Sequence, residues 1–342
     1  RTEPMAAAPA TPLKYLAPAW FATVMGLSGL ALAWHQAQAL MGDLAGAASW
    51  VLGGVAAVLA TVLAVASALR WHRYPSAWAE DLRHPVRHAF VATLPVSLIL
   101  LATAAVAMTG PSGPARLAWI AGALWQLAVT VWVVGRWWRP ASAPGPAWTP
   151  FTPVMLIPVV GNVLLPLAGV PLGLTAWSVA QMAVGLFLWP LLLGLLVVRV
   201  GVQGPWPDRL LPTAFITVAP PSVVGLAVLQ LGASTLWAWG LWGLALFFVL
   251  LSAGVLRRAL AQPFSMSFWA LSFPLAAFSA LGLRLAPSAP AGFAAFAMVC
   301  LALTSFVVAA LVLATWKGLR DGSLLAPEPV AALIPASGGN AP

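Results

Sequence analysis

Few side chains in this sequence are equipped for chemistry, and they are unevenly placed. Ser272-Phe273-Pro274 lies inside an apolar run long enough to cross a membrane. A proline there removes a backbone donor and leaves a carbonyl without its partner, so the helix should kink or open at that level. In lipid the freed groups must face protein or a water-filled cavity. A break with the bulky Phe273 beside it therefore points to a pathway with an obstruction in it, although periodicity alone would make the same ring core packing. Similar breaks are expected at Pro95, Pro158 and Pro220-Pro221. Near them stand a few polar groups, Thr93, Ser97, Asn162, Thr217, Ser222 and Ser272. Such groups often do no more than hold helices together; ranged beside the breaks, they are candidates to line a pathway. The other polar cluster is Arg83-His84-Pro85-Val86-Arg87-His88. His84 and His88 are four residues apart, but Pro85 lies between them and no cysteine assists, so the stretch reads as a basic loop at the mouth of an anion path and not as a metal site.

What is missing narrows the chemistry further. No Asp, Glu, Lys or Arg falls deep in any apolar run, which argues against a proton-relay pump or a carboxylate cation site. There is no Ser/His/Asp grouping and no glycine-rich phosphate loop, so nothing supports an enzyme, and no cofactor or metal is expected. A small anion needs less: helix N-termini and backbone donors freed at kinks offset part of its dehydration without a fixed charge.

The elements that must position these residues follow from composition. Of 342 residues, 62% are hydrophobic and only 7% charged, and the mean hydropathy is +0.95. A soluble fold could not hide that much apolar surface, so the chain is a polytopic membrane protein of all-α class. With about 20 residues per span, ten spans can be laid down, at 16–40, 48–69, 88–108, 115–137, 153–170, 174–200, 211–231, 236–255, 267–285 and 292–316. Residues 1–15 and 321–342, rich in Ala, Pro and Gly, are expected to be disordered tails around a channel domain at 16–320. The lone Cys300 lies in an apolar run and excludes an internal disulfide framework. The net charge of +9 does not call for nucleic acid, because the basic residues are scattered through short loops. If the spans alternate, fourteen Lys and Arg fall on one side and only Arg116 and Arg284 on the other. That asymmetry is expected to place both termini in the cytoplasm and supports an even number of spans.

Five outward hairpins result, pairing spans 1/2, 3/4, 5/6, 7/8 and 9/10. Prolines interrupt the third, fifth, seventh and ninth spans, whereas twelve tryptophans lie in or at the ends of even spans against three in odd ones. Indole rings favour lipid contact and the interfacial belts. Even spans are therefore expected outside, and odd spans, kinked at similar depth, inside around an axis.

The residues also resemble a known family, the tellurite-resistance/dicarboxylate transporters, which include the bacterial TehA proteins and the plant slow-type anion channels. The resemblance covers all ten expected spans. It rests on His84-Pro85-Val86-Arg87 entering the third, on Trp20-Phe21, Met25-Gly26-Leu27 and Leu32-Ala33-Trp34 in the first, and on Phe268-Trp269-Ala270-Leu271-Ser272-Phe273-Pro274 in the ninth. It implies five helical hairpins around a central pore, a homotrimer with one pore per protomer, Phe273 as the gate and Phe21 as a second pore aromatic. The implied activity is an anion channel or channel-like passive transporter of the cytoplasmic membrane, for chloride, nitrate, sulfite or a dicarboxylate. A coupled dicarboxylate or sulfite carrier is the alternative.

Overall fold

The computed structural model describes residues 11–138 and 148–326. Residues 1–10 and 327–342, where most of the two expected tails lie, and Arg1 and Arg139 of the charge count, fall outside the described residues. Within the described residues, Pro12–Tyr15 forms a 3-10 helix, and Arg70 Nε donates to the Lys14 carbonyl at 2.9 Å.

The described chain is helical, and eight of its helices are long and apolar enough to cross a membrane. They are Asp43–Arg73, Arg87–Thr109, Gly113–Gly135, Thr175–Gln203, Asp208–Gln230, Thr235–Leu260, Met266–Ser288 and Phe293–Arg320. The expected first and fifth spans correspond to shorter pieces. The first is the 3-10 turn Pro18–Phe21 followed by Ala22–Gln36. The fifth, Pro153–Gly169, is interrupted after Val163 and resumes at Pro166. Counted in chain order, these ten apolar segments are the first to the tenth below.

The segments differ in burial in the way the tryptophans imply. The apolar stretches of the third, seventh and ninth segments are 72%, 78% and 78% buried, against 11% for the second and 17% for the eighth. Each odd segment packs on the even one that follows it, and the odd segments also touch one another in a closed circuit, first to third, fifth, seventh, ninth and back to the first. Exposed Trp50, Val58, Trp125, Phe187, Trp237 and Phe306 give the even segments an outward apolar surface suited to lipid. Trp119 is the exception on an even segment. It is 1% exposed, and its Nε1 donates to the Leu165 carbonyl at 3.2 Å, bracing the interruption of the fifth segment.

Every odd segment begins the same way. A 3-10 stretch, Pro18–Phe21, Arg87–Ala92, Pro153–Met155, Asp208–Val218 or Met266–Leu271, passes into an α-helix starting at Ala22, Thr93, Leu156, Ala219 or Ser272. The mid-span kinks expected at the prolines are these junctions. Pro95, Pro158 and Pro274 are each the third residue of their α-helix, and Pro220 and Pro221 the second and third of theirs. In the first turn of a helix a missing N–H costs least, which is why proline is tolerated there. Pro190, by contrast, lies within the unbroken sixth helix.

Candidate functional site

The five junctions surround one small cavity. Met25 of the first segment, Phe90 of the third, Val160 of the fifth, Ile216 of the seventh and Phe273 of the ninth all reach it, with Met266, Trp269, Ala270 and Pro274 completing the ninth segment's share. Its volume is about 30 Å³, the share of one water molecule in the liquid, and the side chains lining it are apolar. At this level the odd segments meet in hydrocarbon side chains. A hydrated anion does not fit, and a dehydrated one finds no donor.

The hydroxyls near the junctions explain why no polar group faces the cavity. Ser272 Oγ donates to the Trp269 carbonyl at 2.6 Å, Thr217 Oγ1 to Ala214 at 2.8 Å and Ser222 Oγ to Val218 at 2.8 Å. Thr93 Oγ1 lies 2.8 Å from the Pro18 carbonyl and 2.6 Å from that of Phe90, and Ser97 Oγ donates to Phe21 at 3.1 Å. Each hydroxyl caps a carbonyl at or near a 3-10 stretch, as a buried backbone acceptor requires. Thr93 and Ser97 thereby also bind the third segment to the first. Ser272, expected beside the pathway, is a capping residue here.

Asn162 does not line the cavity. Its Nδ2 donates to Pro158 O at 2.7 Å and to Thr130 Oγ1 at 2.8 Å, and its Oδ1 accepts from Gln181 Nε2 at 2.9 Å. Gln126 Nε2 donates to the same Pro158 carbonyl at 2.9 Å. Asn162 thus faces the fourth and sixth segments, which hold the broken fifth segment in place. Gln126 and Gln181 were not legible as site residues, although amides inside apolar segments are themselves a signal of an interhelical contact.

Phe21 is also placed elsewhere. Its ring packs with Leu16, Trp20, Val24 and Leu63 and borders a separate cleft of about 430 Å³ with Ala64, Leu98 and Trp125, away from the central cavity. Spacing from Pro18 could not reveal this, because the direction of a side chain at a 3-10 to α junction depends on the local twist. Phe273 does reach the axis. It is 5% exposed, and its ring lies against the first segment where Gly29 leaves room: a Cβ built on Gly29 would fall 2.8 Å from Phe273 Cδ2. Trp269 is fixed from outside, its Nε1 donating to Thr315 Oγ1 of the tenth segment at 2.8 Å.

The basic loop is more neutral than its sequence implies. Arg87 binds Glu80 Oε1 at 2.8 Å and Asp81 Oδ1 at 3.1 Å, and Arg70 binds Asp81 Oδ2 at 2.7 Å. Asp81 is 1% exposed and joins the end of the second segment to the start of the third. The hydrogen bond from Arg87 holds the Glu80 carboxyl below the usual carboxylate range. His84 Nδ1 accepts from the backbone N–H groups of Val86 and Arg87, each at 3.1 Å, so it turns the loop. Arg83 is exposed, whereas the charge of Arg87 is offset by its partners and supplies little of a basic collar.

A family model described as voltage-dependent anion channel, the SLAC1 family, matches residues 15–316, which contain the first nine apolar segments and most of the tenth. Two archaeal proteins of Methanocaldococcus jannaschii are similar to the chain, each named only as an uncharacterized transporter. MJ0762 is 25% identical over 293 residues, covering 78% of this chain and 84% of its own. MJ0576 is 26% identical over the same length, covering 78% and 83%. With the match extending over the whole circuit of odd segments and the cavity they enclose, the chain belongs to the SLAC1 family of voltage-dependent anion channels and is a multi-pass membrane protein.

Proposed function

We propose that this protein is an anion channel or channel-like passive anion transporter of the cytoplasmic membrane, with Phe273 as its gate. The observation that carries the reading is the apolar cavity of about 30 Å³ at which all five odd segments meet and into which Phe273 projects. A constriction of this kind excludes ions by size and dewetting, and it opens when one large side chain moves or is removed. In this reading all ten apolar segments span the bilayer as five hairpins and both termini are cytoplasmic, as the basic residues favour. The first and fifth segments are short enough to need their 3-10 extensions to complete the crossing. A homotrimer with one pore per protomer accords with the family. Selectivity is modest, because no fixed charge stands at the constriction, and anions that lose water readily pass best.

Planar-bilayer recording of wild-type and Phe273→Ala protein tests the reading. Large anion currents in the variant, reversing at the anion's Nernst potential, are the expected result. Reversal potentials that move with pH would favour the coupled carrier of a dicarboxylate or sulfite. Silence in both proteins would remove conduction from the reading altogether.

A further inference from the structure

The sixth segment ends in a cation that has no counter-charge among the described residues. Arg199 is only 8% exposed. Its Nη1 donates to the carbonyl of Gly204, the residue at φ +73° that ends this helix, and its guanidinium lies over the Trp206 ring at 5.7 Å. Its Nε is buried without a hydrogen-bond partner. The described carboxylates are engaged or remote: Glu80 and Asp81 with Arg70 and Arg87, Asp208 with Arg258 at 2.6 Å, Asp321 with Ser323 at 2.7 Å, and Asp43 at the opposite end of the second segment. A buried donor left this way costs free energy, and contact of the guanidinium with an indole face does not supply the missing acceptor.

Two more unpartnered donors belong to the same cluster. Trp206 Nε1 donates to the Phe151 carbonyl at 3.1 Å, and the Phe151 ring lies 5.7 Å from that of Trp137. Trp137 Nε1 and Thr152 Oγ1 are both buried without a partner, Thr152 at 2% exposure. Two buried donors with nothing to donate to among the described residues thus stand beside Phe151, and the unpartnered Nε of Arg199 belongs to the guanidinium lying over Trp206, whose own N–H reaches Phe151, where the fourth, fifth, sixth and seventh segments come together. Each requires an acceptor, and the guanidinium requires that acceptor to be negative.

We infer that Arg199, Trp137 and Thr152 form a binding site for a small anion, separate from the central cavity and beside the starts of two axis-lining segments. The chemistry would suit a halide, a small oxyanion or the phosphate of an anionic lipid. Trp137, Phe151 and Trp206 are each half-buried beside these donors, and the site is assigned to the free ion. The inference gives the proposed anion pathway a loading site, but its test does not depend on conduction.

The test follows the unfolding temperature of the purified full chain in lipid-free detergent as sodium bromide replaces sodium gluconate at fixed ionic strength. Bromide is expected to raise the midpoint of the wild type by about 2–4 °C at saturation. The rise should be lost in Arg199→Gln and reduced in Thr152→Val, which keeps the test available should the arginine variant fail to fold. An equal response in Arg199→Gln and wild type, or no response in wild type, overturns the site. In a parallel arm, stabilisation by phosphatidylglycerol but not by bromide would overturn the free-ion assignment in favour of a lipid headgroup. A bromide response that depends on Arg199, alongside a silent Phe273→Ala channel, would leave the site standing and the conduction reading fallen.

Discussion

The ninth and fifth segments break at the same level of the molecule, and they repair the break in opposite ways. In the ninth, Ser272 caps the Trp269 carbonyl from within the segment, while Phe273 projects inward and rests on the first segment at Gly29. In the fifth, the Pro158 carbonyl is held by Asn162 and by Gln126 of the neighbouring fourth segment, with Gln181 of the sixth closing the network. Only the aliphatic Ile157 and Val160 face the cavity from there. A break satisfied by its own side chain leaves the residue at the axis held mainly by packing, whereas a break tied to two neighbours is fixed as part of the wall. In the proposed function the ninth segment is the one that yields and the fifth the one that resists.

The largest expected effect follows from that difference. Phe273→Ala should raise anion conductance by an order of magnitude or more in bilayer recordings, while Val160→Ala should change it little. Equal effects of the two substitutions would erase the distinction between gate and wall. Next comes stability. Asn162→Leu removes the Oδ1 acceptor of Gln181 and one of the two donors to the Pro158 carbonyl, and an unsatisfied buried group costs about 1–3 kcal/mol. Thermal unfolding in detergent should show that loss, and a variant as stable as wild type would mean that the network does not hold the wall.

Gly29→Ala is a finer probe of the ninth segment. The added methyl would crowd the Phe273 ring, so the ring must shift, and conductance should change several-fold without the stability loss of the Asn162 variant. An unaltered current would show that the ring does not rest on Gly29.

The smallest effect should lie outside both breaks, at Glu80. Its carboxyl is held below the usual range by Arg87, so its contribution to stability is present above the ordinary carboxylate pKa and is lost as pH falls through the lowered value. With the side chain 68% exposed, an ion pair of this kind contributes about 0.2–1 kcal/mol. The acid-side stability difference between wild type and Glu80→Gln should stay within that range. A larger difference would make the loop a load on the third segment's entry and not a surface pair.

Much of the architecture is legible in the residue types. A chain with so few charges must place its apolar surface in lipid. The concentration of tryptophan in even segments and proline in odd ones separates an outer from an inner set before any contact is known. Pro95, Pro158, Pro220, Pro221 and Pro274 mark the junction levels as well, because a missing N–H constrains the backbone wherever the segment packs. The asymmetry of Lys and Arg is equally a property of the chain, although part of it rests on Arg1 and Arg139.

What the sequence by itself determined is thus what depends on local backbone chemistry and on solvent: helical class, membrane residence, the levels of the breaks and the aromatic residue at the ninth. Only the tertiary structure decided which way side chains at those breaks point and what they meet. Phe21 and Phe273 occupy comparable places beside their breaks, yet one packs toward the second segment and the other reaches the axis. Asn162 turns outward because the fourth segment presents the Thr130 hydroxyl and the sixth the Gln181 amide to it. Arg87 is a cation in the sequence and an ion-paired strut in the fold, while Arg199, one more loop-end arginine by its type, is buried with no carboxylate partner among the described residues. Direction and partnership arise from distances between residues far apart in the chain, which spacing along one segment does not encode.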